Sequence, residues 1–438
     1  MEMLTDGLIN LAQAVGMLFL TPFYYIALLF LWLLYRRQMY LERRCYHTRL
    51  HSLAGPMLAA VGAGWAVGLA MSLIFPFIGM QVNGQTLILL WGTALLLVWL
   101  RIRYFCLAYA AGMLGIIRGV YELLPASWQD GHQVHAAAGW LTDAVAGVHV
   151  PSLLILAALT HMAEAALIRL QGSRWATPLF VEGKRGKIVG AYGIQGFWPV
   201  PLFLMVPAGD AGGIALPWHT LFPAGAESGW TFAAFPVLIG FSELTKTRLA
   251  EVKTRMTAAR LAAYSVFLLA LALLTLWQQW SLIPAGILAI LLHEAIALLS
   301  HREEERDPPL FIHDSRGLRV LGILPGSPAD KMGIRAGEII TAANGRKVRS
   351  KDDLHRAIQT NSAFCKLELL DRRSEPRFVQ RALYAGQHHQ LGIILSPDNR
   401  TDVYVEFLSK PLWSYFKMKM AGLRRRGSDP PPADGVGM

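Results

Sequence analysis

Charge is scarce in this chain of 438 residues: 16% of it is Asp, Glu, Lys or Arg, against 54% hydrophobic. That balance excludes an ordinary soluble globular domain. Cysteine is scarcer still. Cys45, Cys106 and Cys365 are scattered and odd in number with no CxxC pair, so neither a disulfide framework nor a zinc knuckle is indicated. No G-x-S-x-G elbow and no G-x-x-x-x-G-K-[ST] loop occurs, which removes the hydrolase nucleophile and the nucleotide cradle those motifs build. No cofactor is expected. Acidic residues are outnumbered 30 to 41, giving a net charge of +11. The basic residues sit in short loops between apolar runs, the pattern that encodes membrane orientation. The expected partner of that charge is therefore the lipid bilayer, with no nucleic acid.

What the chain does have is long apolar runs, confined to its first 300 residues. A helix needs about 20 apolar residues to cross the hydrocarbon. Candidate spans lie near 12–34, 54–78, 84–100, 104–120, 149–168, 188–207, 220–241, 261–278 and 281–299. The run near 220–241 is short and follows Gly, Pro and His, so a re-entrant segment competes there, and the count is roughly six to nine. The first run has an acidic, Lys-free leader and no small-residue cleavage site, so it is expected to remain as a membrane helix. Arg36, Arg37, Arg43, Arg44 and Arg49 mark a cytoplasmic loop, as do Arg101 with Arg103, then 169–187 and 246–260. Segments 81–85, 122–148 and 207–229 carry almost no Lys or Arg and belong outside. The last helix then returns the chain to the cytoplasm at Ser300-His301-Arg302.

The composition changes at Asp307-Pro308-Pro309 to short aliphatic runs punctuated by Gly, Pro and Asn, the mark of a small mixed domain. Strands are expected at 319–324, 337–343, 365–370, 378–383 and 391–395, with a tight turn at Asn344-Gly345. Ser350 with Asp353 predicts a helix cap, and Leu354 and Ile358 give that helix an apolar face. The stretch 320–348, with Pro325-Gly326-Ser327-Pro328-Ala329, Gly333, Gly337 and Asn344-Gly345, resembles the central part of bacterial PDZ domains. The expected fold class is thus an α-helical polytopic membrane domain followed by a small α+β PDZ-like domain, a circularly permuted, partly open β-barrel with two helices. Domain limits are expected at 1–305, 306–408, 409–426 and 427–438.

PDZ domains of this kind take up an extended peptide as an added strand, its carboxylate held by the amides of an x-Φ-Gly-Φ loop. The matching residues are Gln390, Leu391, Gly392 and Ile393, continued by Ile394, at the end of the domain, hence the permutation. Leu354 and Ile358 would form the opposite wall. The competing reading makes all of these apolar residues core, and the ligand could be a C-terminal or an internal peptide.

An intramembrane metalloprotease would need H-E-x-x-H on a helix. Here His293-Glu294 is followed by Ala297 where the second imidazole must stand, and His301 is two turns away, so chelation of catalytic zinc is not expected. His161 and Glu164 form a second polar pair, read as interfacial side chains reaching water, with a proton or substrate path as the alternative. A transporter would show broken helices, of which the Gly- and Pro-rich segment 190–236 is the hint. The tail 410–426 has six basic residues and no acidic one. Trp413, Phe416, Lys417, Lys419, Arg424, Arg425 and Arg426 suit an interfacial helix on an anionic leaflet, or one packed on the PDZ-like domain. Residues 427–438 are expected to be disordered.

The stretch from Thr21-Pro22-Phe23-Tyr24-Tyr25 through Glu42-Arg43-Arg44-Cys45-Tyr46, the Leu292-His293-Glu294 segment and the 388–394 segment resemble the MinJ family, topological determinants of cell division in Gram-positive rods. The resemblance implies eight helices and a non-enzymatic scaffold, its PDZ domain cytoplasmic, enriched at septa and poles. It also implies an adaptor joining a DivIVA-like polar protein to a MinD-like division inhibitor, without identifying the contact residues. A regulatory or catalytic part in intramembrane proteolysis and a transporter remain the alternatives, and homo-oligomerisation stays open.

Overall fold

A computed structural model of the chain describes residues 2–46, 50–80, 82–125, 136–208, 213–216, 218–222, 229–361, 363–383, 391–398 and 404–405. They form two compact units. One comprises the described residues of 1–80, 159–266 and 294–405; the other is built from those of 81–158 and 267–293.

Helices dominate the apolar half. α1 (Glu2–Leu20) and α2 (Pro22–Tyr46) are bent by 57° at Thr21. Pro22 suits the first position of α2, where its missing N–H costs nothing, and Thr21 Oγ1 donates to the Met17 carbonyl at 2.9 Å. α3 (Ala54–Ile78) ends on Gly79, whose N–H reaches the Phe75 carbonyl. α4 (Gly84–Leu100) begins on Asn83, whose side chain accepts from the Thr86 amide at 2.8 Å. α5 (Leu107–Glu122), α6 (Ala136–Ala146), α7 (Val150–Gln171), α8 (Ala250–Trp277) and α9 (Leu282–Arg306) follow. Among the described residues four helices, α3, α7, α8 and α9, are long and apolar enough to cross a bilayer, five if the bent α1–α2 pair is one span.

Two of the apolar runs are not helices. Residues 188–207 are strand β2 (Ile188–Pro207), and the run near 220–241 contributes to β3 (Trp230–Thr245). With β1 (Thr177–Glu182) they make an antiparallel sheet of order β1-β2-β3, in which β2 and β3 stay in register from Tyr192↔Thr245 to Pro207↔Trp230. The reason is local. Interior Pro costs a helix about 3 kcal/mol and Gly about 1, and β2 carries Gly190, Gly193, Gly196, Pro199 and Pro201. The Gly- and Pro-rich segment expected to mark broken helices is this hairpin.

An unpaired strand edge inside apolar surroundings strands its amides at several kcal/mol each. Beyond Gly193, where pairing with β1 stops, β2 avoids this with α3. Pro199 and Pro201 have no N–H to satisfy, and Phe203 donates its N–H to Ser72 Oγ at 2.9 Å. Helix and strand approach so closely that a Cβ on Gly64 or Gly68 would lie 2.2 Å from the Pro199 or Pro201 carbonyl oxygen. Phe203 is fully buried in a cluster with Ala14, Leu18 and Tyr24, and Trp65 donates to Tyr24 Oη at 2.7 Å.

The C-terminal domain is a second sheet of order β8-β7-β5-β4-β9, with β6 paired to β5. Its strands are β4 (Leu318–Ile323), β5 (Ile339–Ala343), β6 (Arg346–Lys347), β7 (Phe364–Leu370), β8 (Pro376–Ala382) and β9 (Ile393–Leu395), with helices α10 (Pro328–Lys331) and α11 (Lys351–Gln359). The barrel is not closed. The last strand pairs with the first, β9 antiparallel to β4, which is the permuted order. Asn344 and Gly345 take φ of 47° and 78°, the geometry of a two-residue hairpin turn.

Candidate peptide-binding groove

The groove begins as two local structures. α11 is fixed by a reciprocal cap: Ser350 Oγ accepts from the Asp353 amide at 3.1 Å, and Asp353 Oδ2 accepts from the Ser350 amide at 3.0 Å. The expected x-Φ-Gly-Φ loop leads into β9, and its carbonyls are anchored inward. Leu391 O accepts from the Ala329 amide at 3.0 Å and Gly392 O from the Leu324 amide at 2.8 Å. Gly392 has φ 77°, and a Cβ there would lie 2.3 Å from Ser327 Cβ, so the position requires glycine.

Leu354, Ile358 and Leu391 are brought together, buried in one cluster with Val320, Ile340, Cys365 and Leu395. Ile393 is half-buried and packs against it. Ile394 is turned to the other face of the sheet. It stands beside Gly322, its cross-strand partner, and a Cβ on Gly322 would meet both Ile394 Cδ1 at 3.5 Å and Pro178 Cγ at 3.2 Å. Gln390, Trp413, Phe416, Lys417, Lys419, Arg424, Arg425 and Arg426 lie outside the described residues.

Two residues on α11 escaped the sequence reading. Lys351 Nζ stands 3.9 Å from Asp398 Oδ2, just past the end of β9. The flank of α11 that carries Lys351 therefore faces β9, and one turn on the same flank carries His355, exposed, its Nε2 2.8 Å from Gln359 Nε2. The signal was present as Lys351, His355 and Ile358 at i, i+4, i+7. The apolar pair Leu354 and Ile358 alone does not carry it.

The domain is pinned to the first sheet. Gly190 donates its amide to Phe311 O at 2.8 Å, Val405 donates to Phe180 O at 2.8 Å, and Tyr192 Oη donates to Leu321 O. The entering chain is held as well, Leu310 N–H to Lys246 O at 2.8 Å. Beneath it lies a paired, buried charge system. Lys253, 2% exposed, donates to Ser300 Oγ at 2.8 Å and Glu304 Oε1 at 3.1 Å, while Glu304 Oε2 accepts the Lys246 amide at 2.9 Å. At the domain's entry Asp314 accepts from Arg316 Nη2 at 2.9 Å and Arg319 Nη2 at 2.7 Å. The Arg316 guanidinium, helped by Arg319, holds the Asp314 carboxyl well below the usual range despite partial burial. Burial pushes the Cys365 thiol up to about 11.

The polar pairs of the apolar half also have places. His293 lies within α9, which runs on through Arg306, and not at a helix end. It contacts Tyr109 Oη at 3.2 Å and Cys106 Sγ at 3.7 Å. His161 is 2% exposed and meets the Tyr264 ring edge-on at 5.4 Å, so it is a buried residue and does not reach water.

A PDZ domain family matches residues 319–372. The cell division topological determinant MinJ of Bacillus subtilis (strain 168) is 29% identical over 403 residues, covering 90% of this chain and 97% of that protein. A probable MinJ of Lacticaseibacillus paracasei is 24% identical over 362 residues, covering 82% of this chain and 90% of that protein. No solved structure matches the chain. With similarity to that protein along nine-tenths of its length and a PDZ domain in its C-terminal part, this membrane protein is a homologue of the MinJ cell division topological determinants.

Proposed function

We propose that the chain is a non-enzymatic, membrane-held adaptor that recruits division proteins through its PDZ domain on the cytoplasmic side. The observation that carries the reading is the pairing of a PDZ-type edge, β9 against α11, with relatives named as topological determinants of cell division. A partner segment would lie antiparallel to β9, its carboxylate at the amides of Leu391, Gly392 and Ile393. Its terminal apolar side chain would pack among Leu354, Ile358 and Leu391, which share one buried cluster.

The partners that the MinJ resemblance implies, a DivIVA-like polar protein and a MinD-like division inhibitor, are the proposed occupants, and septa and poles the proposed sites. Modest groove affinity suffices there, because confinement to one membrane makes a second contact effectively intramolecular. The main-chain bonds to Gly190 and Phe180 favour an adaptor that presents its ligand at a fixed place, not on a swinging tether.

The test is the localisation of a fluorescent fusion in dividing cells, comparing the native chain with Ile393→Glu and with a chain ending at Arg306. Ile393 is chosen because it is half-buried at the edge strand, on the rim of the core cluster, so a charge there blocks the groove, and an unchanged unfolding midpoint would verify the fold. Accumulation of the native protein at septa and poles, lost or rendered inert for septum placement in both variants, is the expected result. Uniform membrane fluorescence with normal septum placement in all three would overturn the reading.

A further inference from the structure

We infer that the groove selects peptides carrying acidic side chains a few positions upstream of an apolar C-terminal residue, with Lys351 as the residue that reads them. The inference rests on the groove reading above and adds the chemistry of the partner. A ligand antiparallel to β9 with its carboxylate at Gly392 runs toward Leu395 and Asp398, so its upstream side chains pass the N-terminal end of α11. There the protein already supplies its own carboxylate. Asp398, 38% exposed, pairs with Lys351, 47% exposed, across the mouth. A peptide carboxylate in the same place would take over that partner and release Asp398.

The surrounding charges favour an anion. Arg349 is exposed beside the helix cap, and His355 follows Lys351 on the flank turned toward β9. Of the acidic groups on the same turn, Asp353 is engaged by the Ser350 amide and by Arg356 Nη2 at 2.7 Å, on the flank away from β9, and Asp352 is exposed next to it. α11 also presents its positive dipole end there. The same cations would attract an anionic membrane, but their place along the mouth, against Asp398, favours a peptide.

The experiment uses the purified full chain in nanodiscs of neutral phosphatidylcholine and three short fluorescent peptides. The first ends in a free leucine carboxylate with glutamates upstream, the second replaces the glutamates with glutamines, and the third is the first with an amidated end. The glutamate peptide is expected to bind about fivefold more tightly than the glutamine peptide, the upper range for one exposed ion pair. Lys351→Glu should abolish or invert that preference, and Asp398→Asn should tighten the glutamate peptide. Lys351 is exposed and Asp398 half-buried, and unchanged unfolding midpoints would verify the fold.

Equal binding of the glutamate and glutamine peptides, or a preference that survives Lys351→Glu, overturns the inference while leaving the groove in place. A preference seen only in anionic nanodiscs overturns it in favour of a lipid contact. If no peptide binds, or if amidation makes no difference, the groove reading falls with it.

Discussion

The hairpin β2–β3 and the PDZ sheet are both β-structure in one chain, and they are held by opposite means. The PDZ sheet is specified by its turns: Ser327 and Ser350 cap its helices, Asn344-Gly345 closes its hairpin, and charged pairs such as Asp314 with Arg316 and Arg319 clip its ends. The hairpin has almost none of this. From 195 to 207 and from 230 to 242 it carries no ionisable side chain, and its order comes from strand pairing and from α3 lying along its free edge. A sheet in water can leave an edge to solvent, whereas one among apolar helices must cover it.

The sharpest way to break this comparison is to push α3 off the hairpin. Gly68→Leu places a side chain where even a Cβ would lie 2.2 Å from the Pro201 carbonyl oxygen, and backbone cannot yield as a flexible side chain can. A loss of about 3 kcal/mol or more is expected, the upper range of overpacking. Gly62→Leu on the same helix, where nothing lies within 4 Å, should be tolerated. Thermal unfolding in detergent would compare them, and equal midpoints would mean that α3 does not seal the edge.

A smaller change tests the hydrogen-bonding half of that argument. Ser72→Ala removes the hydroxyl that receives the buried Phe203 amide, leaving that donor without its acceptor on an edge where Pro199 and Pro201 have no N–H to satisfy. The expected cost is about 1–3 kcal/mol. Amide exchange at Phe203 should accelerate while exchange in the PDZ strands is unchanged. Unaltered protection at Phe203 would show that the edge is sealed by packing alone.

The same difference explains what could be read in advance. Turn chemistry is local, so the PDZ domain, the cap at Ser350, the turn at Asn344-Gly345 and the late position of Gly392 were all visible in the sequence. Apolar runs are ambiguous between a spanning helix and a buried strand, because length and hydropathy score both alike. Residues 188–207 therefore read as a span and 220–241 as a span or a re-entrant segment, although Pro199 and Pro201 stand against a helix. The groove's flank needed the third dimension. Leu354 and Ile358 advertise themselves by spacing, but Lys351 and His355 acquire meaning only once Asp398 shows which side of α11 faces β9. Ile394 failed in the opposite sense, since a strand alternates its faces and the residue after Ile393 points to Gly322 and Pro178.

The smallest effect comes from acid, and it should separate the two sheets. Arg316 and then Arg319 hold the Asp314 carboxyl below its unfolded value of 3.8, so the ionised form is favoured by folding. The sign follows from which state takes up the proton. Above the unfolded value the full stabilisation is present, and it is lost as pH falls from there toward the lower folded value, because the unfolded chain protonates first. The clip is partly exposed, so about 1 kcal/mol or less is at stake. Hydrogen exchange followed below about pH 4 should show PDZ amides losing protection in the native chain. Asp314→Asn, which lacks the titrating group, should be less protected near neutrality and lose less on acidification. Residues 195–207 and 230–242, having nothing to titrate, should hold their protection in both proteins. Parallel acid responses of native and Asp314→Asn PDZ amides would remove Asp314 as the clip, and early loss in the hairpin would mean that its stability depends on charges beyond its own strands.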